Sequence, residues 1–235
     1  MECEDLGYIY EPNTNKARKC SCFTRKQIKR RLEFSGINSD RHNITLESYK
    51  PYDQLTKKTR DMARIYIDNF RNLNTWLAFI GQPGCGKTLL SMAIAMELIN
   101  RENPVNVVYM SYLDSMRELK ASSMDNENYN RLQQRYLNAE LLIIDDLFKD
   151  KIKNGKLIRY MNRDAELSEA DIRHLCPVIN NRYLNKKNTI INSECTIEQI
   201  RYLDSSSGDR IYEMCAFGEM VFEFTGSKYN QRIRR

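Results

Sequence analysis

Five short and mostly apolar runs recur along the chain: TWLAFI (75–80), VNVVYMSY (105–112), LLIIDDLF (141–148), NTIINSE (188–194) and EMVFEF (219–224). Runs of this length without strict alternation read as strands buried on both faces. Helical patterns separate them. Residues 56–70 place Met62, Ile65, Tyr66 and Phe70 at helical spacing, and TLLSMAIAMELIN after the first run is rich in Leu, Met and Ala with no breaker. LDSMRELK predicts a further helix that the polar ASSMDNENYN breaks; RLQQRYLNAE and residues 168–184 predict two more. Strands alternating with helices imply an α/β fold, a parallel sheet covered on both faces with ligands at the carboxyl ends of its strands.

Composition adds one boundary. Residues 12–32 hold eight Lys or Arg and no acid. The chain therefore divides into an N-terminal basic element (1–35), a linker with a bracing helix (36–74) and a core (75–235). By default the basic stretch reads as a solvated, mobile arm. The formal charge of +6 suits a polyanionic partner without demonstrating one. No stretch approaches the length of apolar residues that crosses a membrane, and the first ten residues, MECEDLGYIY, are acidic where an export signal is basic. The expectation is a cytoplasmic protein with no membrane contact. Its seven cysteines then read as reduced thiols or metal ligands.

Three of the nine glycines fall in GQPGCGKT, residues 81–88, between the first predicted strand and the first long helix. Gly81, Gly86, Lys87 and Thr88 fit G-x-x-x-x-G-K-[ST], a loop whose bare backbone lets N–H groups close around phosphate oxygens while the following helix aims its positive end at them. LLIIDDL then ends a buried strand in two aspartates. Beside such a loop, Asp145 is placed to hold Mg²⁺ together with the Thr88 hydroxyl, and Asp146 to orient or deprotonate the water that attacks the γ-phosphate. Cys85, inside the loop, reads as a variable position and not a nucleophile, because this chemistry works by positioning and electrostatics.

GQPGCGKT, LLIIDDL, INNRYLNKKNTIINSE and GDRIYEMC, in that order, resemble the AAA+ ATPases of bacteria and phages that load replicative helicases, the DnaC/DnaI-like group, whose core IstB-like transposition helpers share. The resemblance spans residues 36–235. It implies a five-stranded AAA+ sheet, ATP hydrolysis with Mg²⁺, self-association, and partners in single-stranded DNA and a hexameric replicative helicase. It also implies nucleotide contacts from Gly81, Gln82, Pro83, Gly84, Cys85, Gly86, Lys87, Thr88 and Leu89. Asn192 takes the place of the sensor of the γ-phosphate, with Ser193 and Glu194 as alternatives, because many relatives have Thr-Ser-Asn there. Arg210 resembles the arginine finger that acts on a neighbouring subunit's site. Arg232 resembles the arginine of a terminal nucleotide-binding motif, although SKYNQRIRR lacks the usual adjacent tyrosine. Cys3, Cys20 and Cys22 resemble part of a family zinc pattern. Tetrahedral zinc takes four ligands, leaving the fourth to His42, water or a residue upstream, with free thiols as the other reading.

Other classes stay open. A small-molecule kinase would use Lys87 and Asp145 but transfer phosphate to a bound acceptor, and a nucleotide-gated adaptor would bind ATP without turnover. Lys149, Lys151, Lys153 and Lys156, just after the acidic strand, form a basic cluster that reads as either a DNA-contacting loop or solvated lysines.

Overall fold

In the computed structural model, which describes residues 3, 6–12, 15–41, 43–160 and 163–232, the chain opens with an antiparallel hairpin of β1 (Tyr8–Glu11) and β2 (Lys16–Lys19). Helix α1 (Ser21–Ser35) follows, closed by Gly36 in the left-handed region, and then α2 (Gln54–Asn69), whose Asp53 cap accepts from the Thr56 N–H. The core continues through β3 (Leu77–Gly81), α3 (Lys87–Ile99), β4 (Val107–Ser111), α4 (Tyr112–Ala121), α5 (Asn126–Asn138) and β5 (Leu141–Leu147). Two short hairpins, β6 (Ile152–Lys153) with β7 (Lys156–Leu157) and β8 (Arg159–Tyr160) with β9 (Arg163–Asp164), precede α6 (Cys176–Leu184), β10 (Thr189–Ser193), α7 (Ile197–Leu203), α8 (Ser205–Met214) and β11 (Val221–Phe224).

All five predicted strands form one parallel sheet in the order β11-β3-β10-β5-β4. Alternate residues feed opposite layers, as the pleat requires. Leu77, Phe79, Leu141 and Ile143 pack with α2 and α3 through Tyr66, Ile67, Leu90 and Ile94. Ala78, Ile80, Leu142 and Ile144 face α4, α5 and α6 through Leu119, Tyr136 and Ile179. Covering both faces is why the strands read as unbroken apolar runs: burying each such Leu or Ile contributes roughly 1.5–3 kcal/mol. Arg182 is fully buried among the helices on that second side, donating to Thr189 Oγ1 at 2.9 Å and to the carbonyls of Tyr136 and Ala139 at 2.9 and 3.0 Å. It ties the end of α5 to the start of β10, so this arginine of INNRYL is structural.

Three expectations change. The basic segment is not a detached arm: Leu32 of α1 joins the core cluster, Arg31 Nη1 donates to Ile99 O at 3.3 Å, and Arg135 of α5 donates to Phe34 O at 2.7 Å. A few apolar positions, Ile28, Leu32 and Ile37, dock a helix whose charge pattern alone suggests solvation. The polar run before RLQQRYLNAE starts the helix instead of only breaking the previous one, because the Asp125 side chain accepts from the Asn128 N–H and caps α5. Within α2, Tyr66 and Phe70 are buried, but Ile65 is 47% exposed, and Ala63 and Ile67 complete the inward face. Among the described residues no helix is long and apolar enough to cross a membrane.

Candidate nucleotide-binding site

The loop 81–88 leaves β3, an interior strand between β11 and β10, and enters α3. Gly81, Gly84 and Gly86 all have positive φ, and each approaches another segment: Gly81 meets Phe224, Gly84 meets Asn230, and a Cβ on Gly86 would lie 2.8 Å from the Tyr49 ring. Side chains are therefore excluded there by both conformation and space. Lys87, 6% exposed, donates from Nζ to Gly81 O at 2.6 Å and to Gln82 O at 3.2 Å, across the mouth of the loop. Cys85 is buried, and burial pushes its thiol up despite the opposing Lys87 charge, which suits a packing residue and not a nucleophile.

Asp145 lies two strands from the loop, with β10 between. Its carboxylate accepts from Thr88 Oγ1 at 3.1 Å, Tyr109 Oη at 2.6 Å and Asn192 Nδ2 at 2.6 Å. Asn192 in turn accepts from Ser91 Oγ at 2.8 Å. The register explains the convergence. Ile191 pairs with Ile144 and Ser193 with Leu147, so Asp145 and Asp146 together oppose Asn192 in a bulge. Asp146 takes the left-handed φ of 57°, rare for a non-glycine residue, so the regular alternation of the strand is broken at this point. Asp145 meets Thr88, and Asp146 lines a cavity of about 270 Å³ with Pro83, Gly84, Gly86, Lys87, Thr88, Leu89, Lys149, Glu194 and Arg232.

Arg232 thus comes to the loop from the far end of the described chain. Gln231 N donates to Gly84 O at 3.1 Å, and Gln82 Nε2 donates to Gly226 O, so residues 226–232 are strapped across the loop. Of the three residues ending the fourth strand, Asn192 and Ser193 are fully buried, held by Asp145 and by Leu147 O, and it is Glu194 that reaches the cavity. Arg210 lies elsewhere, on a cavity that Glu166, Cys176, Asn180 and Asp204 help to line; its guanidinium is 5.6 Å from the Tyr183 ring centroid and donates to Ser206.

The lysine cluster divides. Lys149 pairs with Glu194, and Lys151 with Asp150 at 2.8 Å and Asp171 at 3.2 Å, whereas Lys153 and Lys156 are exposed on the β6–β7 hairpin. The first two are held in ion pairs, with the Lys149 side chain 33% exposed and that of Lys151 9%. The motifs gave no sign of Tyr109; Glu194 was one of three alternatives at the end of the fourth strand, and Lys149 was read only as part of a basic cluster.

Near the N-terminus, the sulfurs of Cys3, Cys20 and Cys22 all lie within 4.8 Å of one another. Three converging thiols are a donor set that zinc accepts. His42 lies outside the described residues. At the nucleotide site, the Thr88 hydroxyl and Asp145 carboxylate form a hard oxygen pair of the kind magnesium uses beside phosphates.

A phosphate loop on an interior strand, an acidic strand end two places away and the sheet order β11-β3-β10-β5-β4 define a P-loop ATPase of the AAA+ class. The family model described as "IstB-like ATP binding protein" matches residues 22–210, and the chain belongs to that family. It is 29% identical over 242 residues to the phage-like element PBSX protein XkdC of Bacillus subtilis, covering 99% of this chain and 85% of that protein. It is 31% identical over 123 residues to the replicative helicase loader DnaC of Buchnera aphidicola, covering 52% of this chain and 49% of DnaC. The crystal structure of the DnaC helicase loader superposes with a TM-score of 0.62 at 22% identity, over 80% of this chain and 100% of that one.

Proposed function

We propose that this ATPase loads a replicative DNA helicase, binding ATP with magnesium and single-stranded DNA in the cytoplasm, and that it works as a homo-oligomer. The observation that carries the reading is Arg210, which stands on a surface apart from the chain's own phosphate loop, as a residue serving a neighbour's site must. The similarity to DnaC supports the helicase as partner. The exposed Lys153 and Lys156 beside the catalytic edge suit a polyanionic strand.

In this reading Lys87 and the loop N–H groups hold the phosphates. Thr88 and Asp145 hold magnesium, which neutralises charge on the phosphate oxygens. Asp146 orients the attacking water, while Asn192 fixes the Asp145 carboxylate from behind. The N-terminal element, residues 1–35, faces the helicase, with Cys3, Cys20 and Cys22 as three zinc ligands that staple the hairpin to α1.

The test is ATPase activity of the full chain with and without single-stranded DNA, together with capture of the host helicase. DNA-stimulated hydrolysis with helicase capture is the expected result. A kinase ignores DNA, an adaptor binds ATP without turnover, and an IstB-like transposition helper retains a transposase in place of the helicase. Metal analysis of the same preparation should find zinc near one equivalent, lost on Cys20→Ser; a metal-free protein of unchanged stability removes the zinc assignment.

A further inference from the structure

Lys149 and Glu194 form an ion pair inside the cavity that the phosphate loop lines. Both stand on anchored backbone. Lys149 follows Phe148, which has a left-handed φ of 57° and a fully buried ring 5.7 Å from that of Tyr112. Glu194 follows Ser193, whose hydroxyl donates to Leu147 O at 2.7 Å and accepts from Cys195 N at 3.0 Å. The Lys149 side chain is 33% exposed and that of Glu194 is 8% exposed.

The cavity walls hold three cations, Lys87, Lys149 and Arg232, and two carboxylates, Asp146 and Glu194. Lys87 belongs to the loop wall. Lys149 lines the cavity three residues after Asp146, the residue that in the reading above faces the reacting phosphoryl group. In that reading a cation beside Asp146 is placed for the terminal phosphate. The lysine, a third of its side chain exposed, has room to turn from Glu194 toward a phosphate. Phosphate oxygens offer shorter charge-assisted hydrogen bonds.

We propose that Lys149 is a second phosphate-binding cation, selective for the terminal phosphoryl group of a nucleoside triphosphate, and that Glu194 is its built-in competitor. Triphosphate takes Lys149 from Glu194; diphosphate leaves the pair intact. The inference rests on the ATPase reading and goes beyond it by naming the pair that tells the two nucleotides apart. The exchange leaves a nearly buried carboxylate without its cation, which is costly. Glu194 must then turn outward, and the turn between β10 and α7 changes with nucleotide state.

The experiment is competition of ATP and of ADP against a fluorescent ATP analogue on the full chain, for wild type, Lys149→Gln, Lys149→Arg and Glu194→Gln, with thermal melting as the folding control. Lys149→Gln should weaken ATP by roughly tenfold or more, the scale of a hydrogen bond to a charged group, while ADP affinity stays nearly unchanged. Lys149→Arg should recover part of the loss. Glu194→Gln, which keeps the shape and removes the competing charge, should tighten ATP. An unchanged ATP-to-ADP ratio in Lys149→Gln, or weaker ATP binding in Glu194→Gln with an unchanged melting temperature, overturns the inference alone. Wild-type protein that binds neither nucleotide overturns the ATPase reading and this inference with it.

Discussion

The Tyr109 hydroxyl donates to Asp145 Oδ2 at 2.6 Å, across the β4–β5 pair and from the side of the carboxylate away from β10. Burial first, and then the Asp145 charge, push the phenol above its ordinary range, so it remains a donor throughout neutral pH. Tyr109→Phe leaves the fold's apolar contacts and removes one of three donors to Asp145, the magnesium ligand of the proposed reading. A hydrogen bond to a carboxylate contributes about 1.5–3 kcal/mol. ATPase activity titrated with Mg²⁺ should therefore show a severalfold higher metal requirement at little-changed ATP affinity. An identical magnesium curve would reduce Tyr109 to packing.

In the proposed reading Asp145 and Asp146, adjacent at the bulge, serve two different roles. Asp145→Asn should weaken the magnesium dependence itself, Asp146→Asn should keep ATP binding and slow turnover, and Lys87→Ala should remove productive binding. Loss of a group that acts only in the transition state typically costs about 10²–10⁴ in rate. Equilibrium binding and single-turnover hydrolysis, measured on the same three variants, distinguish these outcomes. Normal hydrolysis in both aspartate variants would make the acidic strand end structural.

Arg210→Ala should leave ATP binding and thermal stability almost intact, since among the described residues this side chain makes no ion pair and touches only Ser206 and the Tyr183 ring. Turnover should fall if the residue serves a neighbour. Mixing Arg210→Ala with Lys87→Ala subunits recreates interfaces with both groups intact. Partial recovery of ATPase activity is expected; a mixture that assembles but stays inactive assigns Arg210 to its own chain.

His174 is 4% exposed and lies 2.9 Å through Nδ1 from the Tyr129 hydroxyl. Burial, followed by the Arg173 charge, holds it below the ordinary value of 6.5, with Asp171 opposing. The unfolded chain thus binds the extra proton first as pH falls. The stability this neutral histidine confers is complete above the unfolded value and is lost as pH drops through the folded one. Urea midpoints recorded from neutral to mildly acidic pH should decline less steeply in His174→Gln than in wild type. Parallel curves would mean that other groups carry the acid sensitivity.

The sheet was legible because burial on both faces writes itself as uninterrupted apolar runs, and the loop because its glycines and lysine are adjacent in sequence. Asp145 was readable for the same local reason. Tyr109 was not, and the pairing of Lys149 with Glu194 was not, although each of those two was singled out alone, since both relationships arise only when β4, β5 and β10 lie side by side. Asp125 illustrates a different limit: one residue serves equally as a breaker of α4 and as the cap of α5, and only the hydrogen bond to Asn128 decides. The docking of α1 was hidden by its many charges, which outnumber the few apolar positions that fasten it.

The strap formed by residues 226–232 gives the chain an order of maturation. All five strands end by Phe224, so the sheet can close before the segment carrying Asn230, Gln231 and Arg232 has reached the loop. A chain halted just past β11 would possess a complete scaffold and an unfinished cradle. Competence to bind nucleotide would then report that the polypeptide has been laid down as far as residue 232, and a bound nucleotide, by favouring the closed arrangement over any open one, would hold residues 226–232 in place.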